Sequence, residues 1–113
     1  MTDVSAGFRT IAKPSDFREE KIKRFFVSGR EIGVVVVNGR WHAFSNRCTH
    51  ADFQLSFGYI EDGCIQCPIH YGAFDLETGE ARGGPVTDLT MFEVRVVDGD
   101  VQVRVPPLPR NAD

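Results

Sequence analysis

From Glu93 to Val105 apolar and polar residues alternate, as Glu93-Val94-Arg95-Val96-Val97 and then Val101-Gln102-Val103-Arg104-Val105. A period of two predicts strands with one buried and one wet face. Ile32 to Val37 is the long apolar stretch of the chain, and it has strand length. Asn38-Gly39 joins it to Arg40–Ser45, Asp98-Gly99 joins the two alternating runs, and Asp62-Gly63 precedes Cys64-Ile65-Gln66. Each dipeptide supplies the positive φ angles of a tight hairpin, so three such turns are predicted. Short β-branched and aromatic runs at fairly regular spacing point to an all-β fold. Pro14-Ser15-Asp16, followed by a charged stretch to Arg24, leaves two readings: a short capped helix, or a loop ahead of a strand at Phe25-Phe26-Val27. The tail Pro106-Pro107-Leu108-Pro109 reads as extended. There are no repeats and no interdomain linker.

Composition narrows this to one globular domain over residues 1–113, with 42% hydrophobic and 26% charged residues. No run of about eighteen apolar residues occurs, and Met1 to Thr10 lacks the apolar core of a signal peptide, so a soluble cytoplasmic protein without membrane contact is expected. A net charge of −3 without a basic tract argues against nucleic acid as a partner. The charge is uneven: residues 1–47 hold nine Lys/Arg and five Asp/Glu, whereas residues 48–113 hold four and eleven. The acidic second part either steers docking to basic patches on partners or is ordinary solvated surface.

Three cysteines without an export signal favour reduced thiols available to metal over a disulfide framework. Two lie in short blocks, Cys48-Thr49-His50 and Cys67-Pro68-Ile69-His70, with sixteen residues between them. Each block offers one thiolate and one imidazole, so the two cysteines can grip one iron and the two histidines the other, the ligand set of a Rieske [2Fe–2S] cluster. Pro68 suits a tight ligand loop because it has no N–H and a fixed φ, and Gly72 permits close backbone approach. A structural zinc site is the alternative use of two cysteines and two histidines. Zinc fingers, however, group cysteine with cysteine and separate the first pair by about two to four residues, unlike these mixed blocks. Cys64 reads as a small buried hydrophobe in a strand. Alternation places His42 outward on its strand, Trp41 reads as packing, and Arg47 and Tyr71, flanking the ligands, are candidate partner contacts.

Both blocks, with the continuation Tyr71-Gly72-Ala73-Phe74-Asp75 and the stretches Thr78-Gly79-Glu80-Ala81 and Gly84-Pro85-Val86, resemble the Rieske-type ferredoxins of bacterial aromatic-ring-hydroxylating dioxygenases. The resemblance runs from about Phe8 to Val105. It implies an antiparallel β-sandwich base with a small cluster-binding subdomain inserted over about 46–84. It further implies one [2Fe–2S] cluster held by Cys48, His50, Cys67 and His70, with the histidines facing the docking point. The cytochrome bc branch carries an extra disulfide-bonded cysteine in each block, and this chain has Phe53 and Ile69 there. That branch also has a serine and a tyrosine bonding sulfur, where this chain has Gly72 and Phe74. Hydrogen bonds to sulfur favour the reduced state, so their loss predicts the low end of a span of roughly −150 to +300 mV.

The implied role is a carrier of single electrons from an NAD(P)H-dependent flavin-containing reductase to a terminal oxygenase, not an enzyme in itself. A monomer is expected, since such a carrier visits two partners. An oxygenase would need a further mononuclear iron site, yet the 43 residues after His70 contain no histidine. The alternative is a Rieske-like small subunit of a reductase complex, such as assimilatory nitrite reductase. The aromatic substrate is not encoded here, because the carrier never touches it.

Overall fold

The computed structural model describes residues 7–47, 54–67, 72–83 and 87–106. β1 (Phe8–Ala12), β2 (Lys23–Val27), β3 (Arg30–Val37) and β4 (Arg40–Ser45) precede four short strands. These are β5 (Tyr59–Glu61), β6 (Cys64–Gln66), β7 (Ala73–Asp75) and β8 (Ala81–Gly83), and β9 (Met91–Val97) and β10 (Asp100–Arg104) follow. The long strands form one antiparallel sheet in the order β1-β10-β9-β4-β3-β2, and the short strands form a second in the order β5-β6-β7-β8. The all-β antiparallel fold is therefore the one expected.

The larger sheet is joined between β4 and β9 by a short seam, Ala43↔Phe92 and Phe44↔Met91, extended by Ser45 N–H donating to the Thr90 carbonyl at 2.9 Å. With so short a seam its halves face one another. Val27, Ile32, Val34 and Ala43 from one half and Val101, Val103 and Val105 from the other share a buried core with Phe17. This is the packing of a sandwich. Trp41 is packing, as expected, with its ring edge-on to Phe17 at 4.9 Å.

The unbroken apolar run of β3 has a structural reason: the strand is covered on both faces. Ile32 and Val34 enter the sandwich core, while Val35 joins a second core with Phe44, Leu55, Ile65, Cys67, Phe74, Leu76 and Leu89. That second core glues the small sheet to the large one. Gly33 makes room for it, since a Cβ there would sit 2.6 Å from Cε1 of Phe44.

All three expected turns form, with φ of 52° and 79° at Asn38-Gly39, 54° and 75° at Asp62-Gly63, and 52° and 79° at Asp98-Gly99. A fourth, Ser28-Gly29 at 54° and 75°, joins β2 to β3. The charged stretch after Pro14 is not an α-helix: a single 3-10 turn, Pro14–Asp16, is closed by Asp16 N–H to the Lys13 carbonyl at 2.8 Å. The chain then turns and enters β2, so the loop reading holds. Of the expected extended tail, residues from Pro107 onward lie outside the described residues, as do Gly84-Pro85-Val86.

Candidate metal centre

The described residues hold the stems of both ligand blocks. β4 ends at Ser45, and Asn46 and Arg47 lead toward Cys48. Arg47 then pairs antiparallel with Gln54 in an isolated bridge, and Leu55 N–H donates to the Asn46 carbonyl at 3.3 Å. The stems on either side of residues 48–53 are therefore held together as a closed neck. The second block is closed likewise, with Cys67 N–H donating to the Gly72 carbonyl at 2.9 Å. The two necks are adjacent: Gly58, whose N–H bonds the Leu55 carbonyl, lies so close to Gln66 that a Cβ would fall 1.8 Å from the Gln66 carbonyl oxygen.

Cys67 is buried, on the same face as Ile65 and in the core shared by the sheets. Cys48, His50 and His70 lie outside the described residues, as do Phe53, Pro68, Ile69 and Tyr71. Among the described residues no cluster of three or more potential metal ligands occurs.

The first neck depends on residues that sequence patterning did not single out. Asn46 is fully buried. Its N–H donates to the Glu31 carbonyl at 3.0 Å, and its Oδ1 accepts Ser56 N–H at 2.7 Å. Its Nδ2 reaches Ser56 Oγ at 3.1 Å and Glu31 Oε2 at 3.4 Å. Arg24 Nη1 bridges Glu31 Oε2 at 3.1 Å and Gln54 Oε1 at 2.7 Å. Apart from an asparagine two positions before a cysteine, no local signal marks this network, because its partners come from β2, β3 and the far side of the loop.

Two expectations are corrected. Cys64 is half-buried rather than buried, because alternation along β6 sends Ile65 and Cys67 inward and Cys64 toward Asp75, its cross-strand partner. Burial, with the nearby Asp75 carboxylate adding, pushes the Cys64 thiol above its usual range. His42 is not outward-facing: it shares the β4 face of Phe44 and is covered by the segment after β7. Burial pulls its imidazole below the ordinary value, against the Glu77 carboxylate and a hydrogen bond to the Leu76 backbone. Asp75 anchors that segment. Its Oδ1 accepts Glu77 and Thr78 N–H at 2.7 and 3.2 Å and its Oδ2 the Arg82 guanidinium at 2.8 Å, and Arg82 holds its carboxyl below the usual range.

Two closed necks on one rigid core, carrying mixed thiol and imidazole blocks, correspond to a known arrangement, and residues 8–102 match the Rieske [2Fe-2S] domain. The chain belongs to the Rieske [2Fe–2S] family. The ferredoxin subunit of anthranilate 1,2-dioxygenase from Burkholderia cepacia is 32% identical over 107 residues, covering 93% of this chain and 99% of that protein. The ferredoxin component of the naphthalene 1,2-dioxygenase system from Pseudomonas putida is 41% identical over 83 residues, covering 73% and 80%. Among solved structures, the ferredoxin of carbazole 1,9a-dioxygenase from Nocardioides aromaticivorans superposes with a TM-score of 0.84 at 28% identity, over 91% of this chain and all of that one. A chain in the complex of reduced oxygenase and oxidised ferredoxin of carbazole 1,9a-dioxygenase superposes at 0.80 with 33% identity, over 87% and 93%. A putative nitrite reductase small subunit from Mycobacterium tuberculosis shares the fold at 0.81 but only 20% of its sequence.

As a Rieske ferredoxin the chain carries one [2Fe–2S] cluster and is an electron carrier rather than a catalyst. The residues fit that group. The mixed set suits two irons of different ligation, and buried Cys67 sits in an apolar shell of the kind that limits water access to a redox centre. Among the described residues, no helix is long and apolar enough to cross a membrane.

Proposed function

We propose that this chain is the ferredoxin component of an aromatic-ring-hydroxylating dioxygenase system, and that Cys48, His50, Cys67 and His70 hold its cluster. The observation that carries the role is 32% identity to a dioxygenase ferredoxin over almost the whole of both chains. The bound cluster supplies one-electron transfer. The protein's part is to hold it at one end of a rigid sheet through the necks at Arg47–Gln54 and Cys67–Gly72, and to set its surroundings.

Its electrons come from a flavin-containing, NAD(P)H-dependent reductase and go to a terminal oxygenase. The oxygenase arm is supported by the carbazole dioxygenase complex, which pairs a similar ferredoxin with its oxygenase. We place the carrier in the cytoplasm as a monomer, with the segment 46–84 acting as its cluster-binding subdomain. The insertion of β5–β8 between β4 and β9 supports that division. Phe74 packs in the same core as Cys67 and offers no hydroxyl to sulfur, and Gly72 has no side chain to offer. Both favour a low midpoint potential.

EPR of the dithionite-reduced protein, with a redox titration of its visible bands, tests the reading. A mixed-ligand [2Fe–2S] signal and a midpoint at the low end of the span of roughly −150 to +300 mV are expected. Stoichiometric zinc without an EPR signal would overturn the cluster assignment. Salt-resistant co-elution with a large reductase, and no electron uptake from any flavin reductase, would replace the free carrier with a reductase subunit.

A further inference from the structure

Asn46 is the last fully buried residue before the first ligand block, and its hydrogen bonds all act on the two stems of that loop or on the strand beside them. Its carbonyl receives Leu55 N–H and its Oδ1 receives Ser56 N–H, both from the returning stem. Its own N–H and Nδ2 face Glu31 on β3, which also holds Arg24, and Arg24 grips Gln54 at the mouth of the neck. Thus 46, 54, 55 and 56, the flanks of the segment 47–53, are pinned to one another and to β2 and β3 through a single asparagine and its partners.

We propose that Asn46 is a positioning residue for the cluster: it closes the neck that carries the first Cys/His block and so sets how firmly that block holds the cluster. The inference rests on the assignment of Cys48 and His50 as ligands. Asn46 is buried, and the partners of its side chain are Ser56 on the returning stem and Glu31 on β3, so its polar atoms are committed to the neck. Alanine at 46 leaves Ser56 N–H without its acceptor, leaves Glu31 with Arg24 but without the Nδ2 donor, and loosens the two stems. Aspartate keeps the acceptor for Ser56 but faces Glu31 with a like charge. Glutamine at 31 then restores a donor, with the polarity of the bond reversed.

The test uses the cluster-loaded protein and measures three quantities: cluster bleaching under an iron chelator, the EPR line shape after reduction, and the thermal midpoint. Val103→Ala, in the sandwich core away from the necks, serves as a control for general destabilisation. Asn46→Ala is expected to lose its cluster about 10- to 100-fold faster than the native chain, the range typical of residues that orient metal ligands, and to show a broadened EPR signal. Val103→Ala should bleach at the native rate with a native line shape despite its lower thermal midpoint. N46D alone should behave like N46A, and N46D/E31Q should recover most of the native retention and line shape. Should N46A be isolated without cluster, Ser56→Ala and N46D carry the same comparison. Equal bleaching rates for the neck variants and Val103→Ala would overturn the proposal. Cys48→Ser separates the two layers. Native cluster content in C48S removes the ligand assignment, whereas loss in C48S with native behaviour in N46A removes only the role of Asn46.

Discussion

A single glycine and a single histidine show how this chain trades solvent-exposed surface for a second core. Gly33 is not in a turn. It sits in the middle of β3 because the Phe44 ring occupies the space a Cβ would need, at 2.6 Å from Cε1 and 2.8 Å from Cζ. Gly33→Ala is expected to push Phe44 toward the small sheet and lower stability by about 1–3 kcal/mol, the usual cost of overpacking, measured by urea unfolding. His42 lies on the same face, where burial keeps it below the usual imidazole value of about 6.5. The unfolded chain then binds the proton more readily than the folded one. The stabilisation from neutral His42 is full above about pH 6.5 and declines as pH falls through that value toward the lower folded value. His42→Gln should therefore show a smaller loss of thermal midpoint between about pH 7.5 and 5.5 than the native protein. The comparison cancels other titrating groups, and parallel curves would show that His42 is not the source. Both residues escaped sequence reading for one reason: alternation shows which face of a strand a residue occupies, not whether a second layer covers that face.

Elements were more legible than residues, because hairpins are written locally. Asn-Gly and Asp-Gly tolerate the left-handed conformation, and all three such turns form at the expected places. Ser28-Gly29 forms the same turn but carries a weaker signal, since serine lacks the local preference of Asn or Asp for that region. The spacing of the two Cys/His blocks was equally visible in sequence, whereas the necks beneath them were not, since their bonds join residues up to 30 positions apart, as in Arg24–Gln54. Gly58 belongs to this hidden class. It has no positive φ, yet the Gln66 carbonyl lies 1.8 Å from the place of its absent Cβ. Gly58→Ala must separate the 55–58 turn from β6, the strand that delivers Cys67. The expected outcome is a loss of at least about 1–3 kcal/mol in urea unfolding together with reduced cluster content per chain by iron analysis. A change under about 0.5 kcal/mol, the level of an ordinary surface substitution, would mean the two segments part freely.

Across the whole molecule the two cores divide the work. The sandwich core, from Phe17 to Val105, is built from strands of five to eight residues. The small sheet has strands of three residues each and is held by the second core, to which buried Cys67 belongs. Strands that short do not stand alone; this sheet depends on Val35, Phe44 and Leu89 packed against it and, on the proposed ligand assignment, on the cluster. Removing the cluster takes away the second support and leaves the first. Hydrogen exchange on the cluster-loaded and iron-free chains should therefore differ by region. The amides of Ile65 and Phe74, paired across β6 and β7, should exchange at least about tenfold faster without the cluster, or about 1.4 kcal/mol in opening free energy. Those of Val34 and Val101 in the large sheet should stay within about threefold. Uniform acceleration of both sheets would mean that the cluster stabilises the fold as one cooperative unit. Unchanged exchange in the small sheet would mean that the second core alone holds it, leaving a preformed socket into which the cluster is inserted after folding.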